Sequence, residues 1–336
     1  MTTATNVEHA YASNQQIESK GYRLLRACGS GASSEVYEAE HVATGQRVAL
    51  KLCHSAASGS SARVRFFSEA AILAELESPH IPRLLDEHCQ LGFFVMELLE
   101  GDTLEVAADE PLAPARVAAI MAELALALEA VHERGIVHCD IKPENVLLAR
   151  AADGSVQVKL VDFGIARCQA HESTTQGDWF GTPLYMCPEQ AAGKGGQLDV
   201  TTDTWAYAML AYRLVSGRHY YPIEALQRTL LRVAYDPVIA PSAIGCRVSP
   251  AFDAWFLRSC SRDPSQRFRS VREQSRALEE ALSTSKQVRI EACDFRPSWI
   301  CDGPDLRTAR RNAPFGMIAT LGLVSALAMS VYASWP

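Results

Sequence analysis

The residue pattern changes character near Gly101, and that change narrows the architectures open to the chain. From Tyr22 onward, short β-like runs ("YRLLRAC", "SEVYEAEH", "QRVALKLC", "LGFFVMELLE") are separated by turn signals such as "GSGASS" and "ATGQ", which is the signature of a small antiparallel sheet. Between them "SARVRFFSEAAILAELES" reads as a helix. Its Val64, Phe67, Ala71, Ile72 and Leu76 fall on one face of a 3.6-residue period, and Pro79 stops it. Beyond Gly101 helical signals dominate. "PARVAAIMAELALALEAVHERG" is a long apolar helix closed by Gly135, followed by "TTDTWAYAMLAYRLVSG", "IEALQRTLLRVA", "SPAFDAWFLRSCS" and "SVREQSRALEEAL". A strand-rich part followed by a helix-rich part, with no repeat period, is the pattern of an α+β protein.

Composition removes several function classes. With 336 residues, 48 % apolar and 21 % charged, the chain can bury two ordinary cores. A net charge of −7 without a long Lys/Arg run argues against a nucleic-acid partner. The ten cysteines form no C-x-x-C pair, so zinc is not expected, and they read as free thiols packed like small apolar residues. "MTTATNVEHAYASNQQ" has no basic region leading into an apolar core, so no secretory leader is expected and the bulk of the chain belongs in reducing cytosol. Residues 1–20 are polar and aperiodic, a flexible lead. Residues 283–312 have the texture of a linker. The final 24 residues, 313–336, carry no charge; at ~1.5 Å per residue a helix of that length crosses a hydrocarbon core of ~30 Å. Arg307, Arg310 and Arg311 before it, with Tyr332 and Trp335 near its end, fit an N-inside single span.

Five stretches concentrate chemistry. In "CGSGASSEV", Gly29, Gly31 and Ser34 have a G-x-G-x-x-G-like spacing followed by Val36; such a turn lets backbone N–H groups approach phosphate, although glycine-rich hairpins are common. A dinucleotide fold would need a helix to open here, and "SEVYEAEH" reads as a strand. In "VALK", Lys51 near a strand end needs an anion, which Glu69 or a nucleotide can supply, unless it is a surface lysine on an edge strand. In "HCDIKPENVLL", Asp140, Lys142 and Asn145 stand at i, i+2 and i+5 in a loop broken by Pro143. Neither a helix face nor a strand face explains that spacing, so they converge on something outside the loop or else form a solvated polar turn. The residue types suit accepting a hydroxyl proton, neutralising phosphate and holding a hard cation. In "VKLVDFGIA", Asp162 ends a strand and Gly164 frees the backbone after it. The hairpin "VLLARAADGSVQVKLV", turning at Asp153-Gly154, would bring Asp162 close to Asp140 around one magnesium site. Last, Glu189 in "GTPLYMCPEQ" and Arg267 in "CSRDPSQRF" could form a buried bidentate pair or be two surface charges.

Taken in order, these stretches resemble the protein kinase family, specifically the bacterial Ser/Thr kinases, over about residues 20–282. The resemblance implies a bilobal fold, with an N-lobe of about 21–98 holding a small antiparallel sheet and one helix, and a helical C-lobe of about 99–282. It implies ATP with Mg2+ or Mn2+ as cofactors and Ser/Thr hydroxyls of proteins as acceptors, the latter from Lys142 and from Thr182. By resemblance, Gly29, Ser30, Gly31, Ser34 and Val36 cover ATP, Lys51 contacts its α- and β-phosphates, and Glu69 holds Lys51. Val36, Ala49 and Leu147 sandwich adenine, Met96 guards the rear pocket, and Glu97 and Leu99 offer hinge backbone groups. Asp140 is the base or hydroxyl orienter, Lys142 its phosphate-neutralising partner, and Asn145 with Asp162 the metal ligands.

Three positions depart from the family pattern. Ser34 stands for the third glycine and Cys187 for the alanine of A-P-E, both small changes. Cys139 stands for the arginine that usually pairs with a phosphorylated activation loop, so the chain is expected not to need a phosphate read through this position. Ser173, Thr174 and Thr175 are candidate autophosphorylation sites, with Arg167, Arg63 or Arg65 as alternative phosphate partners. The expectation is therefore a cytoplasmic kinase domain anchored to the cell membrane by residues 313–336. A pseudokinase, binding ATP or acting as a scaffold, is the competing reading; the presence of Lys51, Glu69, Asp140, Lys142, Asn145 and Asp162 speaks against it. A metabolite kinase of related fold would lack the "GTPLYMCPE" segment.

Overall fold

A computed structural model describes residues 14–31, 34–54, 60–150, 154–168, 183–193 and 198–283. The chain divides into two units, 1–286 and 287–336. Residues 284–312 of the expected linker and the apolar run at 313–336 lie outside the described residues, as do Asp153, Ser173, Thr174, Thr175, Gly181 and Thr182. Among the described residues no helix is long and apolar enough to cross a membrane.

The N-terminal lobe is one antiparallel sheet. Helix α1 (Asn14–Ser19) leads into β1 (Tyr22–Ser30), β2 (Ser34–His41) and β3 (Gln46–Cys53); α2 (Ser60–Glu75) follows, then β4 (Leu84–His88) and β5 (Phe93–Glu97). Strand order is β1-β2-β3-β5-β4. Register divides the side chains between two faces. Val36 opposes Lys51, Lys51 opposes Phe94, and Ala49 opposes both Glu38 and Met96, so Val36, Ala49, Lys51 and Met96 share one face. The other face carries Ala39, Val48, Leu50, Phe93 and Val95, packed with Tyr22 and Ile17.

Two expectations for this lobe are corrected. Residues 14–19 are not part of a flexible lead, because they form α1, whose Ile17 is 1 % exposed and caps the outer face of the sheet. The α2 face is also rotated from the expected one. Val64 and Ala71 are exposed, while Phe66, Glu69, Ala70 and Leu73 are buried, at i, i+3, i+4 and i+7. A glutamate with a cationic partner joins the buried stripe, and Phe66 packs on Phe94 with ring centroids 5.0 Å apart.

The C-terminal lobe begins with β6 (Gly101–Thr103), α3 (Leu104–Ala107) and α4 (Pro114–His132). Next come β7 (Ile136–Val137), β8 (Val146–Arg150), β9 (Val156–Leu160) and β10 (Arg167–Cys168). Helices α5 (Pro188–Ala191), α6 (Val200–Ser216), α7 (Leu226–Tyr235), α8 (Pro250–Ser259) and α9 (Val271–Ser283) complete it. The expected hairpin is present as antiparallel β8 and β9, with β6 on the far side of β8. Helix α6 is the axis of the lobe: every residue from Thr202 through Leu214 is buried. Asp199 caps its start by accepting from Thr201 N at 2.8 Å.

Glu189 and Arg267 form the bidentate pair, at 2.6 and 2.8 Å. Arg267 is 2 % exposed, also bonds the Ser261 and Thr201 carbonyls, and lies over the Trp205 ring. Burial pushes the Glu189 carboxyl up, but the guanidinium outweighs it and holds the group below the ordinary glutamate value. The segment at 183–191 is thereby clamped to the base of α6 and the turn before α9.

Candidate active site

The site lies where the inner face of the N-terminal sheet meets the loops that flank β8 and β9. On the upper side Lys51 is 8 % exposed, a position that an isolated ammonium would not tolerate. Its Nζ lies 2.6 Å from both oxygens of Glu69, brought in by α2, and 3.3 Å from Oδ1 of Asp162. Burial works against both members of the pair: it pushes the Glu69 carboxyl up and would depress the ammonium. At the lysine the two carboxylates outweigh it, so its pKa rises. Lys51 in turn draws the Asp162 carboxyl below its ordinary range, although that side chain remains half-exposed. Gly164 leaves room for this: a Cβ there would lie 3.2 Å from Asp162 Oδ1.

The lower side is the loop from His138 to Asn145. Asp140 Oδ2 accepts from Lys142 Nζ at 2.8 Å and from Asn145 Nδ2 at 3.0 Å. Asn145 Nδ2 also donates to the Asp140 carbonyl at 2.8 Å, so three aperiodic polar residues form one knot. The Asp140 carboxylate holds Lys142 charged against the pull of burial. The two sides meet through His138. Its ring packs edge-on against Phe163 with centroids 4.9 Å apart, and Nε2 lies 3.3 Å from the Val161 carbonyl. Asp140 N–H donates to His138 Nδ1, which requires the ring proton on Nε2.

Two non-glycine residues of the site adopt left-handed backbone, Cys139 and Asp162, each at φ 65°. Such a conformation costs an L residue about 1 kcal/mol or more and persists only where its surroundings hold it. At Cys139 the holder is Asp203 of α6, wholly buried. Oδ1 accepts from Cys139 N at 2.8 Å, while Oδ2 accepts from His138 N at 2.9 Å and from His132 Nε2 at 2.7 Å. Burial would raise this carboxyl, but those donors outweigh it and hold the group below the ordinary aspartate range.

At the junction of the lobes, Glu97 has its N–H bonded to the Arg83 carbonyl and its carboxylate 3.0 Å from Lys159 Nζ through both oxygens. Leu147 opposes Lys159 across β8 and β9 and so shares its face, toward Glu97. Ala49 and Met96 stand on the sheet face above. Of the expected residues, Val36, Ala49, Lys51 and Met96 thus share one sheet face, Lys51 joins Glu69 and Asp162, and Asp140 joins Lys142 and Asn145. Glu97, whose side chain leaves the opposite sheet face with Val48, meets Lys159 beside Leu147. Residues 32 and 33, in the turn between Gly31 and Ser34, lie outside the described residues.

Asp203 is read only as part of the helical stretch "TTDTWAYAMLAYRLVSG", and the sequence assigns no role to His132, Lys159 or Gln190. The available signal was a charge inside an apolar run: Asp203 in "VTTDTWAYAML" and Lys159 in "VQVKLV" have no local partner and so require a distant one.

The family model described as protein kinase domain matches residues 22–275. Serine/threonine-protein kinase Pkn1 of Myxococcus xanthus is 35 % identical over 281 residues, which is 82 % of this chain and 40 % of the relative. Serine/threonine-protein kinase PknD of Mycobacterium tuberculosis is 36 % identical over 273 residues, 79 % of this chain and 40 % of the relative. Serine/threonine-protein kinase PknH of Mycobacterium bovis is 34 % identical over 272 residues, 79 % of this chain and 45 % of the relative. The chain therefore aligns with less than half the length of these curated relatives.

Replacing Lys51 by Met strands a buried carboxylate at Glu69. Urea unfolding of the variant is expected to give a stability lower by about 3–5 kcal/mol. The loss should grow with pH. An uncompensated buried carboxyl has its folded pKa above the unfolded value of about 4.3, so the folded state keeps a proton that the unfolded state releases. Between pH 5 and pH 8 the variant should lose stability relative to the unsubstituted protein, by at most ~1.4 kcal/mol per pH unit. A pH-independent difference contradicts this account of the pair.

Proposed function

Because the chain belongs to the protein kinase family, we propose that it is a protein-serine/threonine kinase that transfers the γ-phosphate of ATP to hydroxyls of protein substrates. The observation that carries this reading is that the Lys51–Glu69–Asp162 cluster and the Asp140–Lys142–Asn145 cluster lie near enough for Lys142 and Asp162 to act on each other's charge. Catalysis of this kind is positioning and charge neutralisation, and each residue has a part in it.

Lys51, oriented by Glu69, binds the inner phosphates. Asp140 accepts or orients the acceptor hydroxyl proton, and Lys142, already bonded to Asp140, balances charge on the transferring group. Ala49 and Val36 above and Leu147 below sandwich the adenine, with Met96 at the rear and backbone groups of Glu97 and Leu99 along the hinge. Gly29, Ser30, Gly31 and Ser34 border the phosphates. Gly29 lies where β1 shifts register against β2, and among the described residues a Cβ there would meet nothing within 4 Å, so the backbone is open on that side.

The donors offered to a cation are oxygens, from the Asp162 carboxylate and the Asn145 amide, which suits Mg2+ or Mn2+. Among the described residues no three His, Cys, Asp or Glu side chains converge as a metal cage. A cation there would be held by these one or two protein groups together with substrate phosphates, and it would supply charge neutralisation at their oxygens.

Two finer features complete the proposal. Cys139 is buried, and its N–H and carbonyl are both engaged within the fold. A thiol there cannot pair with a phosphorylated loop, so the 138–145 loop is set without one. The apolar run at 313–336, preceded by Arg307, Arg310 and Arg311, would hold the kinase domain at the cytoplasmic face of a membrane.

Phosphate transfer from labelled ATP to a protein acceptor should fall by roughly 10²–10⁴-fold in Asp140→Asn. In the same assay Ser173→Ala/Thr174→Ala/Thr175→Ala should stay active. Equal transfer by Asp140→Asn sinks the catalytic assignment, and an inert triple variant sinks the claim about Cys139. Alkaline carbonate should leave the full chain in the membrane pellet and release a chain truncated before Ala313; release of the full chain rules out the anchor.

A further inference from the structure

The left-handed turn at Cys139 is held from two sides. Asp203 takes the N–H groups of His138 and Cys139. The carbonyl of Cys139 points the other way, to α5, where Gln190 Nε2 donates to it at 2.9 Å. The Oε1 atom of the same amide accepts from Cys187 N at 3.1 Å and from Cys187 Sγ at 3.3 Å. These partners fix which way the amide faces, because a carbonyl oxygen only accepts and a backbone N–H only donates. Burial raises the Cys187 thiol well above its ordinary pKa, so its sulfur keeps the proton it donates.

We propose that Gln190 is a positioning residue for phosphoryl transfer: by holding the Cys139 carbonyl it keeps the strained turn that aims Asp140 at the acceptor hydroxyl. The inference rests on the kinase reading of the site. Without the Gln190 donor, the peptide after Cys139 loses its partner. The residue can then relax toward negative φ, which carries the Asp140 backbone with it. Glycine at 139 would have no steric reason to relax. The same bond makes the aim of Asp140 depend on the seating of α5, which the Glu189–Arg267 pair clamps from its other side.

The test is a cycle of Gln190→Met and Cys139→Gly in the full chain, with kcat and KM read for labelled ATP on dephosphorylated casein. Gln190→Met is expected to lower kcat about tenfold or more, with KM for ATP within about twofold, because the defect lies in the orientation of Asp140 and not in nucleotide binding. In the Cys139→Gly background the same substitution should cost at most about threefold, since relief of strain removes the need for the bond. Should Gln190→Met unfold α5, Gln190→Glu keeps the acceptor for Cys187. Its carboxylate cannot donate to Cys139 at pH 8 but its protonated form can, so the kcat deficit against the unsubstituted protein should shrink toward pH 6. A Gln190→Met kcat within twofold of the unsubstituted protein, an equal loss with glycine at 139, or a pH-independent Gln190→Glu deficit overturns the inference. If the unsubstituted chain transfers no phosphate while ATP turnover is absent, the kinase reading falls and takes this inference with it; an active parent with an indifferent Gln190→Met removes the inference alone.

Discussion

One buried carboxylate, that of Asp203, organises the lower half of the site. It accepts three donors, from His132, His138 and Cys139, with no exposed surface of its own. An aspartate taken out of water is tolerated only when its oxygens are satisfied. Here two of the three donors come from the loop that must be held in an unfavourable backbone conformation, and the third, His132, comes from the end of α4. The hydrogen bonds that satisfy Asp203 also hold Cys139, so one set of contacts offsets both the desolvation of the carboxylate and the strain of the turn, and α6, buried from Thr202 to Leu214, supplies their rigid mount.

The upper half follows the same logic with the opposite charge. Lys51 stays charged in a nearly dry position because Glu69 and Asp162 surround it, and the same contacts keep Asp162 ionised at the cleft. The halves join through His138 and Phe163, and through Lys159 and Glu97 beside the segment linking the lobes. Lys51, Asp162, Asp140, Lys142 and Asn145 thus each have a partner that orients them before any ligand arrives, which is the preorganisation that the proposed phosphoryl transfer would use.

Much of this was legible in the sequence, for physical reasons. A loop such as "HCDIKPENVLL" is readable because Pro143 breaks both periodicities and leaves polar residues that no helix or strand face explains. The long helices and the β8–β9 hairpin are local patterns, whereas the Glu189–Arg267 pair was legible only as one of two possibilities, because nothing local separates a buried pair from two surface charges. Burial decided by distant partners was not legible. Asp203 lies 64 residues from Cys139, Gln190 lies 51 from it, and Lys159 lies 62 from Glu97. The face of α2 was misplaced for the same cause: Glu69 turns inward to a lysine 18 residues earlier, and periodicity that treats every charge as outward rotates the helix. Strand β4, "LLDEH", alternates too weakly to stand out, and α1 is too short and polar to be seen without the sheet that buries Ile17.

The central claim, that the Asp203 carboxylate sets the loop bearing Asp140, is tested most directly by steady-state phosphate transfer in Asp203→Asn. An amide offers one accepting oxygen to three donors and turns its NH₂ toward the others, so the turn at Cys139 loses part of its support. The account gives a kcat about a hundredfold lower in a folded protein, with KM for ATP changed by less than about threefold. A folded Asp203→Asn protein with kcat within twofold of the unsubstituted chain would contradict it.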